Sequence, residues 1–220
     1  MNLKLLEQAI RDINDIHKNV SEDHFFPPED LNLPPINLKK RTISHFINSN
    51  KINEDFIEYI NVYHAKMNLI IAYSSFDADY VNWDARMRVK QKESIQNKLI
   101  HYYMTNEDGN IPIQKCLNDL LGYRLIIDNF DPNNSDFKKL IEKLKNELSL
   151  MKCYTRDKDG YKATHIYFKN GENIFFPWEL QIWATEDAES NEISHSEHKS
   201  KREYINWPKV YKEANIRKGD

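Results

Sequence analysis

Residues 135–150 place Phe137, Leu140, Ile141, Leu144 and Leu148 on one helical face, with Ser135 as N-cap. This stripe stands between apolar runs of strand length. A helix that must bury one face, set between strands, commits the chain to a sheet with helices packed on it. The runs are 123–127, 164–168, a short one at 173–176, and 178–183, which alternates polar and apolar. Asn170-Gly171 predicts a hairpin turn after the second run. The fold class this implies is α+β.

The first third reads differently. Leu5, Leu6, Ile10, Ile13 and Ile16 recur at helical spacing from residue 3 to about residue 19. Pro27, Pro28, Pro34 and Pro35 then mark an irregular crossing. Further helices are expected over 41–48 and 53–73. The organisation expected is a helical region over 1–80 and a sheet-bearing region over 81–220, forming one compact unit.

Composition removes several classes. The 220 residues include only Cys116 and Cys153, too few for a disulfide framework or a four-cysteine zinc site. No apolar run reaches the roughly 20 residues of a membrane span. The amino terminus interleaves polar and apolar residues and is not a signal peptide, so the expected compartment is a reducing cytoplasm with no membrane partner. Thirty-one Lys and Arg face 34 Asp and Glu, which excludes a globally basic nucleic-acid binder but not a local basic site. Five glycines are too few for a glycine-rich dinucleotide cradle.

Four constellations could carry chemistry. Arg86, Arg88, Lys90, Lys92 and Lys98 gather against one acid, Glu93. Ser94 and Lys98 are four apart and share a helix face. Such a cluster suits a polyphosphate, or it is a solvated basic helix start. Asp119 closes a helix, where a carboxylate meets the negative end of the dipole; a metal or cationic ligand would offset that, or it is an exposed loop acid. Asp159-Gly160 forms a turn presenting Tyr161 at a loop edge, as a stacking platform for a base or as ordinary packing. His165 follows on the strand. In 178–183, Glu179, Gln181 and Trp183 share one face, and Trp178, Leu180 and Ile182 the other. His195, Glu197, His198 and Lys199 are too irregular for a zinc motif.

Taken in order, these residues resemble the RelA/SpoT synthetase domain, and within it the small alarmone synthetases. The matching motifs are Arg88/Lys90/Ser94/Ile95/Lys98, Asp119/Arg124, Gly160/Tyr161/His165, Glu179/Gln181/Ile182 and Glu197/His198/Lys199. They span about residues 86–199; the first 80 residues add nothing specific. The resemblance implies a nucleotidyltransferase-like mixed sheet flanked by helices. It implies a pyrophosphokinase that moves the β,γ-diphosphate of ATP to a ribose 3′-hydroxyl and needs Mg²⁺. By the same resemblance, Arg88 would contact adenine, and Lys90, Ser94 and Lys98 would hold the ATP phosphates. Asp119 and Glu179 would bind the metal, with Glu179 also orienting or deprotonating the hydroxyl. Tyr161 would stack on the acceptor base, with Lys158, His165, Arg124 and Gln181 on the acceptor side.

The departures cluster on that side. Trp183 replaces the family's arginine, Ala184 follows it, and Ala163 replaces a serine. The pattern around Trp178–Trp183 resembles the toxic small synthetases of toxin–antitoxin pairs, some of which pyrophosphorylate the 3′-CCA end of tRNA. This makes tRNA the favoured acceptor over GDP or GTP or an adenosine nucleotide, and implies a cognate antitoxin protein or hydrolase. Lys39, Lys40, Arg41 and Arg86 are the candidates for the tRNA backbone. A degenerate nucleotide-sensing domain is the non-enzyme alternative.

Overall fold

Helix α1 (Leu3–His24) turns Leu6, Ala9, Ile10 and Ile13 wholly into the core. In this computed structural model, residues 1–24, 35–48, 51–105, 109–148, 150–169 and 171–200 are described. Pro27, Pro28, Pro34 and Asn170 lie outside them.

The expected helix over 41–48 is replaced by a 3₁₀ turn at Ile43–His45 and a small hairpin, β1 (Ile47–Asn48) with β2 (Lys51–Ile52). Asn53 then starts α2 (Glu54–Tyr73), its side-chain oxygen accepting from Phe56 N at 2.9 Å. That cap fixes the boundary and leaves Ile47 and Asn48 to pair with Ile52 and Lys51. A short α3 (Phe76–Asp79) leads to β3 (Arg86–Val89), α4 (Lys92–Thr105) and α5 (Ile113–Cys116). Next come β4 (Leu121–Ile127) and α6 (Ser135–Glu147). The N-cap of α6 is Asn134, not Ser135: its side chain accepts from Asp136 N and Phe137 N. Leu150 belongs not to that helix but to β5 (Leu150–Lys158), a nine-residue strand that no apolar run announces. Strands β6 (Tyr161–Phe168) and β7 (Trp178–Ala184) and helix α7 (Ala188–Ser200) complete the order.

The expected strand at 173–176 is absent. Asn173 adopts a left-handed φ of 58°, which ends any extended run, and its carbonyl instead accepts from Leu38 N at 2.8 Å.

The five long strands form one mixed sheet in the order β3-β4-β7-β6-β5, flanked by helices. Only β4 and β7 run parallel. One face buries Leu121, Tyr123, Leu125, Ile166, Phe168, Trp178, Leu180 and Ile182 in the same cluster as Leu6, Ile10, Tyr59 and Tyr63. Trp178 Nε1 donates to Tyr63 OH at 2.7 Å, tying β7 to α2. The helices of the first 80 residues therefore cover one side of the sheet, and the other side is left to form a site. No helix among the described residues is long and apolar enough to cross a membrane.

Candidate active site

Strand register aligns the open face into rows. One row crosses the sheet as Arg88, Gly122, Glu179, Tyr167 and Lys152; the next as Arg86, Arg124, Gln181, His165 and Tyr154. Side chains at every second position share a face, so both rows point the same way. Above them lies a cavity of about 600 Å³. Four inter-strand gaps of about 4.8 Å make its floor roughly 19 Å wide. Gly122 leaves the floor bare between Arg88 and Glu179.

Asp119 sits three residues beyond α5 and just before β4. Of the two readings the sequence left open, the exposed loop acid does not hold: Asp119 is half-buried and held between two cations. Lys90 Nζ lies 2.7 Å from Oδ2, and Lys98 Nζ, from α4, 3.0 Å from Oδ1. Burial pushes the Asp119 carboxyl up, but Lys98 and Lys90 outweigh it and hold it far below the usual carboxylate range. Burial pulls Lys90 below its usual value, against the attraction of Asp119; Lys98, closely held by the same carboxylate, is raised despite burial.

Glu179, the second residue of β7, the central strand of the sheet, is gripped from three sides. His165 Nδ1 at 2.9 Å and Tyr167 OH at 2.7 Å meet Oε1, and Gln181 Nε2 donates to Oε2 at 2.7 Å. Burial raises this carboxyl, yet the hydrogen bond from His165 and the others leave it lowered on balance. Tyr161 OH lies 3.3 Å from His165 Nε2. One consistent proton arrangement has Tyr161 donating to Nε2 while Nδ1–H donates to Glu179.

Tyr161 is therefore not a platform at a flexible loop edge. It begins β6 and is 7% exposed. The more open ring is Tyr154, half-buried on β5 and parallel to His165 at 5.3 Å and Tyr167 at 6.1 Å. Trp183 is fully buried, and Arg124 from β4 lies over it, guanidinium carbon 3.7 Å from the ring centre. Arg124 also pairs with Glu192 of α7.

Of the residues expected at the site, Arg86, Arg88, Lys90, Lys98, Asp119, Arg124, Tyr161, His165, Glu179 and Gln181 line the one cavity. Ser94, half-buried on α4, does not. Lys158 is exposed at the end of β5, 3.7 Å from Asp159, and also lies off the lining. Lys39, Lys40 and Arg41 are exposed outside it. They run alongside α5, where Ile113 N donates to Arg41 O and Gln114 N to Leu38 O. The side chains of His198 and Lys199 lie outside the described residues. Tyr102, Lys115, Asn118, Tyr154, Arg156, Tyr167, Glu192, His195 and Ser196 line the cavity although no sequence motif marked them for it. The alternation Lys152-x-Tyr154-x-Arg156 was the available signal for β5.

The lining cations divide into two groups. Lys90 and Lys98 are balanced by Asp119, Arg124 by Glu192 and Arg86 by Asp84. Arg88, Lys115 and Arg156 form no ion pair with a described residue. Burial pushes the thiols of Cys116 and Cys153 up to about 12 and about 11, so neither is a nucleophile at neutral pH.

Among the described residues, no group of three or more His, Cys, Asp and Glu side chains could hold a metal ion. A buried and a half-buried carboxylate do face the cavity, with acceptor capacity left on Asp119 and on Glu179 Oε2. Mg²⁺ takes one or two carboxylates and fills its remaining positions with water and substrate phosphates. The residues present fit it on those terms.

No protein-family model matches the chain, and no curated protein matches it.

Proposed function

We propose that this chain is an ATP-dependent pyrophosphokinase of the RelA/SpoT synthetase type, and that its acceptor is the 3′-CCA end of tRNA. The observation that carries the reading is the cavity's charge layout: Arg88 and Lys115, without an ion pair among the described residues, beside the Asp119–Lys90–Lys98 cluster, with buried Glu179 on the central strand. A polyphosphate needs positioning and charge neutralisation more than covalent help, and this layout supplies both.

ATP would lie at the β3 and α4 end, its phosphates drawn by Arg88, Lys90, Lys98 and Lys115. Asp119 and Glu179 would hold Mg²⁺, which neutralises charge on the phosphates when bound. Lys90 and Lys98 then divide their bonds between Asp119 and the phosphates. Glu179, kept ionised, accepts the proton of the ribose 3′-hydroxyl. The hydroxyl oxygen bonds to the β-phosphorus of ATP, the bond from that phosphorus to the α,β-bridging oxygen breaks, and AMP leaves. His165, Tyr167 and Gln181 keep the carboxylate aimed. In a cytoplasmic setting, such modification of tRNA would block aminoacylation and call for a neutralising antitoxin protein or hydrolase.

The test is incubation of the purified chain with ATP labelled in the γ-phosphate, Mg²⁺, and either bulk tRNA or GDP and GTP. Label on tRNA, with AMP released in equal amount, is the expected result. Label on the guanosine nucleotides alone replaces the acceptor, and no transfer to any acceptor removes the activity. Asp119→Asn and Glu179→Gln each lose at least about 10²-fold while remaining folded.

A further inference from the structure

Helix α7 brings a carboxylate to the cavity where the sheet offers a cation closely stacked on a buried ring. Arg124 rises from β4 with its guanidinium against the face of Trp183. Its Nη1 donates to Glu192 Oε1 at 2.6 Å, and both residues line the cavity. The helix is fixed there independently of that pair. Asn191, fully buried, accepts from Lys162 N at 2.7 Å and donates to Lys162 O at 2.9 Å. His195, one turn on, lies 5.3 Å from Tyr161 and 5.6 Å from Trp183. Removing Glu192 therefore leaves α7 anchored, and the carboxylate is not needed to hold the helix down.

Its placement has a chemical effect. An anionic group entering under α7 meets Arg124 already paired, and meets Glu192 as a like charge at the rim. The lining cations without an ion pair among the described residues are Arg88 on β3, Lys115 on α5, and Arg156 on β5, whose guanidinium carbon lies 5.8 Å from the Tyr161 ring. The cavity thus offers a strong seat for one polyanion and, at its other end, a single cation suited to one phosphodiester. Among the described residues, the cation in contact with Glu192 is already paired and offers no free charge to a second polyphosphate tail.

We propose that Glu192 is a specificity-determining residue, which by occupying Arg124 on Trp183 selects an acceptor carrying no phosphate chain under α7 and rejects free nucleoside diphosphates and triphosphates. The proposal rests on the pyrophosphokinase reading for its meaning, but its test does not need turnover. Binding of GDP and of guanosine to the full chain is measured by calorimetry without ATP. In the wild type, GDP binds no more than a few-fold more tightly than guanosine. Glu192→Gln keeps the shape and removes the charge. It raises the ratio of GDP to guanosine affinity about tenfold, the scale of one removed repulsion at a partly buried site. Combined with Arg124→Ala, the gain disappears, because the guanidinium that Glu192 occupied is gone.

Three results would overturn the proposal. They are a wild-type ratio already above about tenfold, an unchanged ratio in Glu192→Gln, or a gain that persists without Arg124. If the labelled-ATP experiment shows no transfer, the activity falls while these ratios still decide what Glu192 does. If transfer occurs, Glu192→Gln also raises kcat/KM for GDP relative to tRNA.

Discussion

Glu179 owes its orientation to neighbours on two strands, and each neighbour can be removed singly. Tyr167 OH favours the ionised carboxylate, so Tyr167→Phe takes away one stabilising bond and the Glu179 pKa rises. The acid limb of the kcat/KM profile moves to higher pH, and kcat falls about tenfold; a limb that does not move separates Tyr167 from the carboxylate. Gly122 gives a steric counterpart. A Cβ there meets only Arg88 O at 3.9 Å, so the backbone tolerates alanine. Leucine would fill the floor between Arg88 and Glu179: Gly122→Leu keeps a near-wild-type thermal midpoint and loses ATP binding, read by calorimetry. At this scale the sequence is most legible where charge sits in an apolar context, as at Asp119 and Glu179. It is least legible at Tyr154 and Tyr167, because an aromatic on a strand looks the same whether it faces core or cavity. The side of the sheet depends on register, which no local pattern supplies.

Among the elements, α1 is legible in its apolar spacing and α6 in its stripe, though the start of α6 depends on a cap. Asn134 takes the cap position from Ser135 because its longer side chain reaches two backbone N–H groups. Strand β5 is hidden by charge, since four of its nine residues are Lys, Arg or Asp. Helix α1 also brings a titratable anchor. His17 is buried against Trp178, rings 4.8 Å apart, with Nε2–H donating to Phe176 O at 3.1 Å. Burial lowers its pKa from 6.5 to about 4. The unfolded chain therefore binds a proton that the folded chain refuses. Stability is full above about pH 6.5 and falls toward pH 4, by about 3 kcal/mol for this group. Urea midpoints from pH 7 to pH 4.5 show that slope. His17→Gln, which cannot be protonated, flattens it while lowering stability at pH 7.

Across the described residues a long cavity lies over the five-stranded sheet; the helices of the first 80 residues pack on the far side, and His64 of α2 also reaches the Lys90 carbonyl at 3.1 Å. The α+β class is legible because helix and strand periods differ so clearly; the strand order is not, because β7 inserts between β4 and β6 against chain order. Lys39, Lys40 and Arg41 belong to this scale. They lie outside the cavity but run beside α5, which carries Lys115 into it. Neutralising all three weakens transfer to tRNA and makes its salt dependence shallower by roughly 2 log units per log unit of salt, about 0.7–0.9 for each phosphate left without its cation. AMP formation with a free nucleotide acceptor does not change. Loss of tRNA transfer with an unaltered salt slope would assign the three cations to folding.

The width of that sheet has a consequence for alignment. Neighbouring strands rotate by about 20–25°, so across four gaps β3 and β5 are turned by roughly 80–100° relative to each other. A surface twisted that far is a saddle, and its opposite corners lean inward over the middle. Arg88 on one outer strand and Arg156 on the other thus line the cavity from differently turned ends of one surface, with Arg156 over the Tyr161 ring. The angle of approach between two bound partners is then a property of backbone coiling, adjustable by a bulge or a strand pair far from either partner. Substitutions that flatten the sheet would misalign attack without touching a single group in the cavity.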